Sequence, residues 1–234
     1  NYYDGTSIDI KQMDNMEILL NEVTIDTTTS NVKNIFLIRN TSDTQIEQEV
    51  EIQLENNELA TQIKDLSIVV NNLNAKYIKD ENGIYKFTIK ADPGAVKKIE
   101  IQYNTENNLK NARIIKYSLD SLKGKLVKAL KVDIIVEEED IPLVKAIYPY
   151  NYTFENNTIS VRYYNFTVNN LTKDIIIEKD TYSDLKYSRE YELNEIEQFI
   201  VENSKEWITN GISIDYTKDI DSEYININKT ISRL

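Results

Sequence analysis

Cysteine and histidine are both missing from these 234 residues, and each absence removes chemistry. Without Cys there is no disulfide framework, no thiolate nucleophile and no zinc–thiolate site. Without His the commonest general base and the commonest transition-metal ligand go together. Any catalysis would have to run on carboxylates, Lys, Tyr or Ser. Gly (5 residues) and Pro (3 residues) are scarce, so the few turns that hold them stand out. Long apolar runs are lacking too: nothing approaches the roughly 20 residues that span a bilayer, and Asn1-Tyr2-Tyr3-Asp4 opens no cationic-then-apolar leader. The expectation is a soluble portion of a longer protein, its signal and anchoring segments removed, with no direct insertion into a membrane.

Acid is what the chain has in excess. Asp and Glu number 39 against 27 Lys and Arg, for a net charge of -12 and a pI near 4.6. A phosphate backbone would be repelled over most of such a surface, which argues against a nucleic-acid partner. At 41% hydrophobic the chain can bury a real core in one large or two small domains. The richness in Asn, Ile, Lys and Tyr points to an AT-rich bacterial genome.

The clearest pattern lies between Tyr77 and Tyr103. Tyr85, Phe87, Ile89 and Ala91 alternate with Lys86, Thr88 and Lys90, the period-2 signature of a half-buried strand. Asn82-Gly83 ahead of it suits a tight hairpin, and Asp92-Pro93-Gly94 behind it offers a second turn before Ile99, Ile101 and Tyr103 alternate again. Three antiparallel strands are expected. Upstream, positions 8 to 26 read as one or two strands and Asn31 to Arg39 as a central one. After the turn at Asn40 to Asp43, Ile46, Val50, Ile52 and Leu54 mark a strand paired with its predecessor. Asn56 to Asp65 is polar, and Ile68 to Val70 begins a further strand. Turn signals every ten residues or so suggest a sandwich.

The turn Ile38-Arg39-Asn40-Thr41-Ser42-Asp43, the self-contained strand, and Ala91-Asp92-Pro93-Gly94 closed by Ile99 to Tyr103 together resemble uncharacterised exported bacterial surface proteins. In outline they are similar to the immunoglobulin-like and saddle-like β-sandwiches of extracellular proteins. The resemblance covers about the first 180 residues and implies no active site.

Asn104 to Asn108 is a polar connector and the expected domain boundary. Ile114 to Leu119 and the alternating Leu130, Val132, Ile134 and Val136 follow as strands. Ile147 to Val168 is rich in aromatics around a turn at Glu155-Asn156-Asn157, and Ile175 to Ile177 reads as a strand buried on both faces or at an interface. Near Ser183 the period changes: Leu193, Ile196, Ile200 and Trp207 fall on one helical stripe, with Asn194 and Glu197 as a capping box and Gly211 as a stop. The expected fold is therefore mainly β. Two tandem antiparallel sandwiches of immunoglobulin-like form, at residues 1–103 and 104–182, are followed by a C-terminal helix and short strands at 183–234 packed on the second.

Few residues invite a chemical role. Tyr148, Tyr150, Tyr152, Tyr163 and Tyr164 offer flat apolar faces with polar tips and form a candidate contact surface for a sugar or peptide. Glu137 to Asp140 has the oxygens calcium prefers, yet reads as a solvated strand end. Asp219, Asp221 and Glu223 begin like a calcium loop, but Tyr224 and Thr230 stand where the Gly and the bidentate Glu belong. Ser30 and Lys33 share the Ser-x-x-Lys spacing of serine acyl-enzymes without its helix. The cluster Lys123, Lys125, Lys128 and Lys131 balances the chain's own field. Asn-x-Ser/Thr triplets begin at Asn40, Asn151, Asn156, Asn165, Asn170 and Asn228, which matter only in a glycosylating host.

The expectation from sequence is a non-catalytic domain of a bacterial cell surface, without cofactor or metal, that contacts a protein or glycan. A carboxylate-based glycan hydrolase and a structural subunit of a phage or surface assembly are the alternatives.

Overall fold

The computed structural model describes residues 9–11, 15–53, 62–180 and 194–198. The chain divides into two compact units, Asn1–Lys179 and Asp180–Leu234. Strands of the first unit are β1 (Asp9–Lys11), β2 (Met16–Asp26), β3 (Asn31–Asn40), β4 (Ile46–Gln53), β5 (Ile63–Val70), β6 (Leu73–Asn74), β7 (Ile78–Lys79), β8 (Ile84–Ala91) and β9 (Val96–Thr105). They continue as β10 (Ile114–Tyr117), β11 (Leu126–Ile135), β12 (Val144–Tyr148), β13 (Thr153–Glu155), β14 (Thr158–Thr167) and β15 (Ile175–Lys179). The fold is mainly β and sandwich-like, as the alternation predicts.

Three sheets are formed. The largest runs β13-β14-β11-β2-β3-β9-β5-β6, and two smaller ones run β1-β4-β8-β7 and β10-β15-β12. The central strands β3, β9 and β11 of the large sheet send one parity inward: Val32, Phe36 and Ile38 from β3, Ile99 and Ile101 from β9, Val132 and Ile134 from β11. These join Val50, Ile52, Phe87 and Ile89 of one small sheet and Ile115, Ile175 and Ile177 of the other in a single core cluster. Burying each such side chain is worth about 1.5–3 kcal/mol, against about 0–1 kcal/mol for an exposed ion pair. Apolar burial therefore dominates.

Two expectations are corrected by the sheet topology. The turns at Asn40–Gln45 and Asp92–Gly94 do not close hairpins: β4 pairs with β1 and β8, whereas β9 pairs with β3 and β5. Both turns carry the chain from one layer to the other, and Asn40 holds them together. Its buried amide donates to the carbonyls of Thr44 (2.8 Å) and Ala91 (2.9 Å), and Gly94 N–H donates to the Asn40 carbonyl (3.0 Å). The tight turns that do close hairpins are Thr27 to Ser30, with Ser30 at φ 59°, Asp80 to Gly83, with Gly83 at φ 78°, Asn71-Asn72, and Asn156-Asn157 at φ 49° and 59°.

The second correction concerns the boundary after Tyr103. β11 lies parallel to β2, with Val127 opposite Ile18, Val132 opposite Val23 and Ile134 opposite Ile25, so one sheet spans residues expected to form two sandwiches. Asn104 to Asn108 is correspondingly no free linker. Thr105 N–H donates to the Ser30 carbonyl (3.0 Å), and Leu109 N–H donates to Ser30 Oγ (3.0 Å). In the second unit residues 194–198 are helical. The rest of the expected helix and final strands, with Trp207 and Gly211, lies outside the described residues.

Candidate functional site

Besides the Asn40 turn, two clusters of buried polar side chains stand out among the described residues. Asn21 and Asn34, on β2 and β3, meet Tyr117 of β10. Asn21 Nδ2 donates to Asn34 Oδ1 (2.6 Å), the Tyr117 hydroxyl donates to Asn21 Oδ1 (2.5 Å), and Asn34 Nδ2 donates to the Tyr117 oxygen (3.5 Å). The triad fixes how a small sheet sits on the large one. Tyr103 lies close by, and its buried hydroxyl meets no protein partner. Desolvation pushes both phenols well above their ordinary value.

The second cluster surrounds Glu137 to Asp140, which is not the solvated strand end expected. Residues Glu138–Leu143 form a 3-10 turn. Lys110 Nζ donates to Glu137 (2.6 Å) and to Glu139, while Asp140 is buried, one of its carboxylate oxygens meeting no protein partner. Lys179 is also buried. Its Nζ donates to the Lys110 carbonyl (2.6 Å), and desolvation holds its pKa below the usual lysine value. Among the described residues no group of His, Cys, Asp or Glu is arranged to hold a metal ion. Asp219, Asp221 and Glu223 lie outside them.

Ser30 Oγ accepts from the Leu109 N–H, and Lys33 lies within strand β3 rather than on a helix, so the Ser-x-x-Lys spacing has no acyl-enzyme context. Within the basic cluster Lys123 pairs with Asp120 (2.7 Å) and Lys128 with Glu17 (2.9 Å), in keeping with local charge balance.

The candidate tyrosines converge more usefully. Tyr148, Tyr150 and Tyr152 line one groove of about 420 Å³, together with Lys145, Ala146, Ile147, Ile176 and Glu178. β12 and β15 lie side by side, Tyr148 opposite Ile176, and the chain leaving β12 supplies the other two rings. Tyr148 and Tyr150 pack edge to face, centroids 5.6 Å apart at 75°, an arrangement that suits the ring quadrupoles. The ammonium of Lys173 lies 5.5 Å from the Tyr148 centroid, a cation–π contact. Lys145 and Glu178 pair across the rim at 3.2 Å.

A second, apolar slot of about 250 Å³ adjoins the first. Val136, Ile141, Val144, Phe154 and Ile159 line it, and it shares Ile147 and Tyr152 with the groove. Of the remaining candidates, Tyr163 packs on Phe166 (4.8 Å), and its phenol is pushed up by desolvation and by Tyr148 nearby. Tyr164 points to the opposite face of β14, is 61% exposed and lines neither cavity. Ile176, Glu178, Lys145 and Lys173 escaped the sequence reading as site residues. The signal for Ile176 was the triplet Ile175 to Ile177, whose outer members enter the core while the middle one faces the groove.

No family model matches the chain, and no curated protein matches it in sequence. Its fold is similar to that of a Legionella pneumophila protein provisionally described as nutrient-binding. The TM-score is 0.61 at 13% identity, over 81% of this chain and 75% of that one. An M1 zinc metallopeptidase of Deinococcus radiodurans matches at a TM-score of 0.41, with 9% identity, over 71% of this chain and 43% of that one. Yeast LTA4 hydrolase matches at 0.40, with 11% identity, over 77% and 31%. At these identities a likeness carries the fold alone.

Proposed function

We propose that this chain is a non-catalytic contact domain of a bacterial cell surface, and that it engages a protein or glycan partner through the groove of Tyr148, Tyr150 and Tyr152. The carrying observation is the convergence of three tyrosines from β12 and its following turn on one cavity of about 420 Å³, within the range of roughly 300–1,000 Å³ typical of ligand sites. Among the described residues its only lining carboxylate is Glu178, ion-paired to Lys145, and the adjoining slot is lined by none. Glycoside cleavage uses two carboxylates flanking the bond, so binding is the better reading of this site. The acidic surface and the resemblance to exported bacterial proteins support the location, and the fold shared with a protein described as nutrient-binding agrees with a ligand-binding role.

The test is incubation of the chain with cell-wall polysaccharides and envelope proteins, following both saturation and products. Saturable binding without turnover, lost in Tyr150→Ala, is expected. Release of cleaved sugar would favour the hydrolase instead. A surface-assembly subunit has its own supporting observation in Leu73 (74% exposed) and Ile78 (66% exposed) on the open edges β6 and β7. Concentration-dependent oligomerisation, suppressed by Leu73→Lys, would favour that reading.

A further inference from the structure

We infer that the ligand of the Tyr148–Tyr152 groove is a neutral oligosaccharide of pyranose rings with equatorial hydroxyls, of the β-linked glucan kind. This names the partner of the site proposed above and rests on that reading.

The first argument is shape. Tyr150 is 86% exposed, yet its ring is braced edge-on against Tyr148, and Tyr148 is itself held under Lys173. The Tyr150 ring is thus largely open to solvent beside a second ring of the same groove. A pyranose whose hydroxyls are all equatorial turns a flat patch of axial C–H bonds towards such a ring. Its hydroxyls then project sideways, and the groove's lining includes polar groups that can meet them: the phenols of Tyr148 and Tyr152 and the Lys145–Glu178 pair. Tyrosine suits this because it joins an apolar body to a polar end.

Charge is the second argument. Among the described residues the lining holds one cation and one anion, Lys145 and Glu178, already joined at 3.2 Å, and the neighbouring cation, Lys173, lies over the Tyr148 ring. Both side chains of the pair are about half exposed, so it contributes little by itself, but its two charges cancel and the lining offers a charged ligand no net attraction. An anionic ligand would also meet a chain of net charge -12. Sugar hydroxyls donate and accept at once, so they can add to the pair without dividing it. The third argument is extent. The groove shares Ile147 and Tyr152 with the apolar slot of about 250 Å³, where Phe154, 47% exposed, offers another aromatic surface. A ligand of several linked rings uses both cavities and a single ring does not.

Calorimetric titration of the full 234-residue chain with cellotetraose, a tetragalacturonate and an octapeptide of alternating Val and Thr tests the inference. Cellotetraose should bind saturably and the tetragalacturonate should not. Tyr150→Ala should weaken the sugar by at least about tenfold, Tyr150→Phe should keep most of the affinity, and Tyr164→Ala should change nothing. Failure of cellotetraose to bind at millimolar concentration overturns the inference. If the peptide then binds and Tyr150→Ala abolishes it, the groove stands and only the ligand class falls. Sugar binding that survives Tyr150→Ala removes the groove itself.

Discussion

Two sets of tyrosines grow from the same alternation and meet opposite surroundings. Tyr85, Tyr103 and Tyr117 stand on inward parities of β8, β9 and β10 and are at most 7% exposed. Tyr150, Tyr152 and Tyr164 lie on outward parities or turns and are 39% to 86% exposed. In the core a phenol is a liability unless its hydroxyl is answered, because an unpaired buried polar group carries its full desolvation cost. Asn21 and Asn34 answer Tyr117, and no protein group answers Tyr103. At the groove the hydroxyl costs nothing, and the ring faces are what remain to be covered. The same residue type thus serves layer packing in one region and a contact surface in the other.

The contrast can be broken by substitution. Tyr117→Phe removes the hydroxyl that joins Asn21 and Asn34, leaving buried amide groups short of a partner, so chemical denaturation should show a loss of about 1–3 kcal/mol. Tyr103→Phe should do the reverse, leaving stability unchanged or raising it by up to about 1 kcal/mol, because the hydroxyl lost meets no protein partner. Equal losses for the two would show that Tyr103 is satisfied after all. Tyr150→Ala should move stability by no more than about 0.5 kcal/mol, while weakening binding by at least about tenfold.

The smallest effect expected is electrostatic. Glu17 sits between Lys128 and Arg39, whose hydrogen bonds hold its carboxyl below the ordinary value of 4.5. A depressed folded-state pKa contributes stability that is complete above the unfolded value and disappears as pH falls through the folded one. Melting curves of Glu17→Gln and the parent should therefore differ slightly at neutral pH and converge in acid. A gap that widens on acidification would contradict this.

Much of the fold is legible in the chain. Period-2 alternation located the strands, and Asn-Gly and Asn-Asn pairs located three of the hairpins, because a positive φ is a local demand met by local residues, whereas the Thr27–Ser30 turn between β2 and β3 carries no such pair. Pairing was not legible. Tyr85, Phe87 and Ile89 would alternate identically whether β8 paired with β9 or β4, and only the Asn40 amide, bonded to carbonyls about fifty residues away, shows that these turns change layers. The parallel β2–β11 pair joins residues about a hundred apart, and no turn residue announces it. The same holds for the site. Three groove tyrosines come from one short stretch and were visible together, whereas Ile176 and Glu178 reach them through sheet pairing, and Tyr164 was separated by strand parity alone.

The most direct test of the groove is NMR of ring-labelled tyrosines in the intact chain during titration with cellotetraose. Saturable shifts at Tyr148, Tyr150 and Tyr152, with Tyr103 and Tyr117 silent, are predicted. Shifts confined to Tyr77 or Tyr164, with the three groove rings unmoved, would contradict it.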